Sequence, residues 1–246
     1  SNTPSNRVRD IFKYYIDHGT KIALASGRPL AALKNLFEDF SDNLIYICAN
    51  GTKIVIGGET VSVSPLANKK ELASIMEIVR SLKCDFMVDT INCTMVENTV
   101  SEEFYYLLKK SDIEVTRVND VGDYWNQVLK ISLDSSPAGP FEFIKNPLLK
   151  EIGGNYTLIP TGGRFVDIIG KNVNKGTAVR TLQRLYDIKS NETIVFGDAM
   201  NDVDMFDTSL NSYAVNTAVT SVLKRAKSTI LPPNEDGVAR CLARFI

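Results

Sequence analysis

The chain has a single histidine and a single tryptophan among its 246 residues. The histidine, His18, precedes Gly19 at the predicted end of a helix, where an imidazole ordinarily serves the last carbonyls. Histidine-based catalysis is therefore not expected. No apolar stretch reaches the ~20 residues of a bilayer span, and no signal-peptide pattern opens the chain. The four cysteines (Cys48, Cys84, Cys93 and Cys241) show no paired metal-ligand spacing and read as reduced thiols of a cytoplasmic protein. Neither sign of charge dominates, since 28 Lys and Arg face 29 Asp and Glu. That balance, with basic residues spread along the chain, argues against a nucleic-acid or membrane partner. Repeats and low-complexity tracts are absent too.

What is present suits a large globular fold: 44% of residues are apolar and 23% charged, close to ordinary averages. Val8, Ile11, Phe12, Tyr15 and Ile16 share one helical face. Lys21–Ala25 reads as a strand leading into Ser26-Gly27-Arg28. Pro29 then opens a helix with Leu30, Leu33, Phe37 and Phe40 on one face. Leu44–Cys48 is a second strand, and Asn50-Gly51 a turn before Lys53–Ile56. From about Pro65 the pattern changes to paired short strands with helices between them (near 85–88, 94–97, 113–118 and 128–133), which predicts an α+β insertion. A Pro-rich loop is expected over 135–140. The parallel pattern is expected to resume with a strand over 164–169, a helix after Lys175 and a strand over 193–196. The predicted architecture is α/β: a Rossmann-like core with a parallel sheet from residues 1–63 and 165–246, and an α+β cap from 64–164.

Three segments would meet at one sheet edge. Ser26-Gly27-Arg28 leads into a helix N-terminus, a place suited to anions, although serine there is also an ordinary cap. Lys175 again stands just before a helix. Gly197-Asp198-Ala199-Met200-Asn201-Asp202-Val203-Asp204-Met205-Phe206 follows a buried strand with carboxylates and an amide. Such oxygen donors suit a hard cation like Mg²⁺, which keeps waters and bridges to phosphate. Phosphate at Ser26 and Lys175 beside Mg²⁺ at Asp198 makes a constellation for phosphoryl transfer.

These segments, with Asn50-Gly51, Asn174-Lys175-Gly176 and the closing Asn234-Glu235-Asp236-Gly237-Val238-Ala239, resemble the ordered motifs of the haloacid dehalogenase superfamily. The nearest resemblance is to the Cof-type phosphatases with a large α/β cap. The resemblance implies Mg²⁺-dependent hydrolysis of a small phosphorylated metabolite through an aspartyl-phosphate. It implies that Ser26, Gly27 and Asn201 handle the phosphoryl oxygens, that Lys175 neutralises them, and that Asp198 ligates the metal. Asp202 would ligate or support the metal, while Arg28, Asn50 and Gly51 lie near the substrate. Asp167 has two readings, a strand position or a site group, and Asp204 reads as surface charge. Tyr105, Tyr106, Tyr124 and Trp125 read as core or surface residues before they read as a sugar-binding wall.

One part of the pattern is missing. The family's Asp-x-Asp-Gly-Thr motif, which would supply the attacking carboxylate and the general acid, has no counterpart. Asp89-Thr90 is its nearest imitation, and it falls inside the insertion. Ser1–Ser5 match what normally follows the motif, so some 15–20 residues with a central strand are expected to be missing. A protein that binds phosphate or a metabolite without catalysis is the competing expectation. The sequence leaves the substrate and the oligomeric state open.

Overall fold

The computed structural model describes residues 4–111, 113–135, 150, 152–161 and 164–246. Most of the expected 135–140 loop lies outside the described residues. Ser5 caps helix α1 (Asn6–Asp17) by accepting the Val8 N–H. At the other end of that helix His18 stacks on Tyr14 and bonds its carbonyl, as its position beside Gly19 predicted.

The core contains two short sheets. In the first, β1 (Ala23–Ala25) pairs in parallel with β2 (Ile45–Cys48), and β3 (Lys53–Ile56) and β4 (Glu59–Val63) continue antiparallel. β4 was not anticipated. Helix α2 (Leu30–Lys34) is shorter than its apolar spacing suggested; Phe37 packs from the following turn and Phe40 from a 3₁₀ stretch.

The alternation of β2 divides its side chains between two helical layers. Tyr46 and Cys48 pack with α1, α2 and the final helix, while Ile45 and Ile47 pack beneath the helix that begins at Lys175. The second sheet is wholly parallel: β11 (Ile194–Gly197), β12 (Asn211–Val215) and β13 (Ser228–Ile230). Ala25 packs against both the Ile45 and the Val195 clusters, so the sheets are neighbours. Among the described residues no strand pairs with the free edge of β1 or of β11.

The second lobe is a six-stranded sheet in the order β7 (Val115–Val118), β6 (Thr94–Glu97), β5 (Phe86–Thr90), β8 (Val128–Asp134), β10 (Phe165–Gly170), β9 (Tyr156–Thr161). Here the structure corrects an expectation. The strand around 164–169 does not return the chain to the parallel core; it lies antiparallel between β8 and β9. The turn residues before it close a hairpin, and hairpin and linker carry the same local signal.

One face of this sheet is apolar. Phe86, Val88, Ile131, Leu133, Val166 and Ile168 pack under α3 (Lys69–Ser81), which Asn68 and Glu71 cap reciprocally. The opposite face is split. Met87, Val96 and Phe165 pack with α4 (Glu102–Lys110), while Asp89, Thr94, Lys130, Ser132 and Asp167 form a buried polar strip.

Candidate active site

Each site segment begins at the end of a strand or the start of a helix. β1 runs into Ser26, β2 into Ala49-Asn50-Gly51 and β11 into Asp198, while Lys175 opens α5 (Lys175–Tyr186). The first two loops are laced together: Ser26 N–H donates to the Ile47 carbonyl at 2.9 Å, and Asn50 N–H to the Ser26 carbonyl at 3.0 Å. The Ser26 hydroxyl accepts the Arg28 N–H at 3.2 Å, a local cap. Arg28 itself is exposed.

The Asn50 loop passes through left-handed backbone, with φ of 48° at Ala49, 60° at Asn50 and 97° at Gly51. A Cβ on Gly51 would lie 2.3 Å from the Asn174 carbonyl oxygen, so only glycine lets α5 start so close to this loop. Gly176 plays the matching part on the other side, where a Cβ would meet the Asp204 carbonyl oxygen at 2.3 Å. Between these contacts Lys175 is buried, with Nζ 2.6 Å from Asp202 Oδ1. Asp202 Oδ2 accepts the N–H groups of Asp198 and Ala199, both at 3.0 Å. One Asp202 oxygen therefore holds Lys175 and the other the shape of the loop.

Asp198 stands exposed at the sheet end and forms no ion pair among the described residues. Lost hydration first, then the Asp202 charge, pushes its carboxyl above the ordinary range, while Lys175 opposes them. An outward carboxylate without a cation, next to one already engaged, fits a metal that takes few protein ligands. Mg²⁺ is such a metal, completing its shell with water and phosphate oxygens. Among the described residues no three acidic, histidine or cysteine groups gather for a closed metal site. Asp204 is exposed on the following turn.

The site residues are joined to the second lobe through buried polar contacts. Asn201 Nδ2 donates to Asn50 Oδ1 at 2.9 Å, and Asn50 Nδ2 donates to Asp167 Oδ2 at 2.6 Å. Ser132 Oγ bonds Asp167 Oδ1 at 2.6 Å, as their opposed register predicts. Lys130 Nζ lies 3.2 Å from Asp167 Oδ2 and 2.9 Å from the Gly27 carbonyl oxygen. It also lies 3.1 Å from Asp89 Oδ2, a contact of charges without hydrogen-bond alignment. Burial would lower the Lys130 pKa, but the charges of Asp167 and Asp89 outweigh it and hold the ammonium above its usual range.

Of the residues expected at a site, the structure joins Asn50 to Asn201, Lys175 to Asp202, and Gly27 to this network. It leaves Arg28 at the surface. Asp167, read two ways from sequence, is the hub. Lys130, Ser132 and Asp89 were missed. The signal for Lys130 and Ser132 was the alternation of polar and apolar residues along 128–134, which also describes an ordinary solvent-facing strand; Asp89 ends an otherwise apolar run in β5. Trp125 and Tyr106 are exposed, and Tyr105 is covered by Arg117.

Comparison with known proteins places the chain in a family. The profile of the haloacid dehalogenase-like hydrolases matches residues 1–242. The chain is 26% identical over 231 residues to the 5-amino-6-(5-phospho-D-ribitylamino)uracil phosphatase of Escherichia coli strain K12, covering 89% of this chain and 81% of the relative. A crystal structure from Eubacterium rectale has a TM-score of 0.89 at 26% identity, covering 100% of this chain and 93% of that one. A sugar phosphatase of haloacid dehalogenase subclass IIB has a TM-score of 0.83 at 20% identity, covering 99% and 92%, a likeness of fold.

Proposed function

The chain belongs to the haloacid dehalogenase-like hydrolases, a family with phosphatase and phosphotransferase members, and we propose that it serves a Mg²⁺-dependent Cof-type phosphomonoesterase acting on small phosphorylated metabolites such as sugar phosphates. The observation that carries the reading is the Lys175–Asp202 pair held against the Asp198 loop. It sets a buried cation and an outward carboxylate at the mouth of the parallel sheet, where α/β folds bind ligands. In this reading Ser26 and the Gly27 amide take phosphoryl oxygens, Lys175 balances their charge, and Asn50 and Asn201 fix the loop that faces them. Asp198 would hold Mg²⁺, with Asp202 supporting it from behind. The metal would supply charge neutralisation on the transferred phosphoryl group. Arg28 and Gly51 border the substrate.

The attacking carboxylate and the general acid belong, in this proposal, to a strand preceding Ser1 that lies between β1 and β11. Among the described residues no strand pairs with the facing edges of β1 and β11, which supports it, because the middle of a parallel sheet is ordinarily filled by paired strands. The proposal also places the enzyme in the cytoplasm; no helix among the described residues is long and apolar enough to cross a membrane.

Phosphate release from a panel of sugar phosphates, with Mg²⁺ and with chelator, tests the proposal. The protein to assay is one extended upstream to include the motif. Activity should fall at least about 10²-fold in Asp198→Ala and Lys175→Ala, the cost of removing one preorganised charge-stabilising group. Undiminished activity in Asp198→Ala would overturn the assignment.

The second reading is a phosphate-binding protein without turnover. It is favoured by the carboxylates near Lys175, of which one is fixed by the loop and the other suits a metal. Binding of inorganic phosphate without phosphate release, by a protein whose upstream sequence lacks Asp-x-Asp-Gly-Thr, would support it.

A further inference from the structure

Three lysines are buried among the described residues: Lys53, Lys130 and Lys175. Lys130 and Lys175 each face a carboxylate. Lys53 does not. It opens β3 opposite Cys48, and its Nζ donates to the Ile91 carbonyl at 2.6 Å. That acceptor is neutral, and among the described residues no carboxylate pairs with the Lys53 ammonium. Buried charges are ordinarily paired, so a buried ammonium without a counter-ion points to a ligand that supplies one.

The surroundings fit such a ligand. Lys53 lines a cleft of about 420 Å³ between the core and the second lobe, with Lys34 in the same wall. Pro29 and Ala49 also line it, and they are the chain neighbours of Arg28 and Asn50, so the cleft adjoins the phosphate loop. Asp89 reaches the cleft but is held by Lys130 and by the Thr94 hydroxyl at 2.8 Å. Glu114 is exposed at the rim. Thr90, Asn92, Thr94 and Thr116 add neutral polar groups to the lining, and among the described residues no aromatic ring lines the cleft. Stacking on a nucleobase has no platform there.

We propose that Lys53, with Lys34, forms an anion subsite for a second negatively charged group, a carboxylate or a second phosphate, on the non-aromatic part of a phosphorylated substrate. The proposal rests on the phosphate site described above and specifies what its substrate carries. Burial and the like charge of Lys34 lower the Lys53 pKa, the state an arriving anion would relieve. The competing role for Lys53 is a strut that holds Ile91 and accepts no ligand.

Binding to the chain, measured by calorimetry in Mg²⁺ buffer, needs no turnover and separates these cases. The probes are inorganic phosphate, glucose 6-phosphate, 6-phosphogluconate and glucose 1,6-bisphosphate. The two doubly anionic sugars share the carbon number of glucose 6-phosphate and differ in the second anion. At least one should bind about tenfold more tightly than glucose 6-phosphate, the scale of one charge-assisted contact. Tighter binding of 6-phosphogluconate alone identifies a carboxylate, and of the bisphosphate alone a second phosphate. In Lys53→Met and Lys53→Gln the preference should vanish while affinity for inorganic phosphate is unchanged. Equal binding of all three sugars to the parent, or a preference that survives both substitutions, overturns the subsite and leaves the phosphate site standing. Failure of inorganic phosphate and every sugar phosphate to bind overturns both.

Discussion

Replacing Lys130 by Met should cost about 3–5 kcal/mol of stability, because it leaves two buried carboxylates without their cation. Asp89 and Asp167 are 3% and 1% exposed and lie 3.1 and 3.2 Å from Nζ. Met fills similar volume, so the loss is one of charge and not of packing. For a chain of this size about 3–5 kcal/mol lowers the melting temperature by roughly 6–20 °C. The pH dependence gives a sharper test. Pairing raises the Lys130 pKa, so its contribution is complete below the unfolded lysine value of about 10.4 and fades only in stronger alkali. The deficit of the variant should therefore be full at pH 7–8. It should narrow only in strong alkali, where the parent's own ammonium loses its proton. The assay is urea unfolding followed by the fluorescence of Trp125, the single tryptophan, which stands in the same lobe. Adding Asp89→Asn should recover part of the loss, since its second oxygen accepts no hydrogen bond. A deficit below about 1 kcal/mol, or one that does not change with pH, refutes the charge argument.

Gly51→Ala should destabilise by about 2–5 kcal/mol, combining left-handed backbone strain with the clash against the Asn174 carbonyl; an unchanged melting temperature would contradict the close approach. Native iodoacetamide treatment near neutral pH should modify only the half-buried Cys93. Burial shields Cys48, Cys84 and Cys241, and pushes the Cys48 thiol up to about 12; mass spectrometry should find four adducts only after denaturation. Asn50→Asp should cost at least about 1–3 kcal/mol, since it sets a carboxylate against Asp167 Oδ2 and removes a buried donor. The same substitution should weaken inorganic phosphate binding, and calorimetry together with thermal melts would reveal either effect's absence.

The sequence disclosed the parts of the site that sit at strand ends, because backbone chemistry restricts what can stand there. Gly51, Gly176 and Asp202 stand where few residue types fit: two close backbone approaches and a loop that needs an acceptor. The polar strip of the second lobe was hidden for the opposite reason. Lys130 and Asp89 are neighbours only through the pairing of β5 with β8, and Asp167 meets Ser132 only through β8 with β10. Register is a property of the folded sheet, and alternation cannot say whether a polar face meets water or another lobe. β10 was assigned to the core for a related reason: its apolar run suits a parallel strand and the middle of an antiparallel sheet equally well.

The polar strip also bears on how the two lobes can separate. An apolar floor of the same extent would adhere, since exposing it would cost about 25 cal/mol for each Å² wetted. A floor made of Lys130, Asp167 and Ser132 instead gains hydration when it parts from Gly27 and Asn50, and water takes over most of the hydrogen bonds that break. Parting of the lobes would therefore exchange hydrogen bonds for hydration instead of wetting an apolar floor.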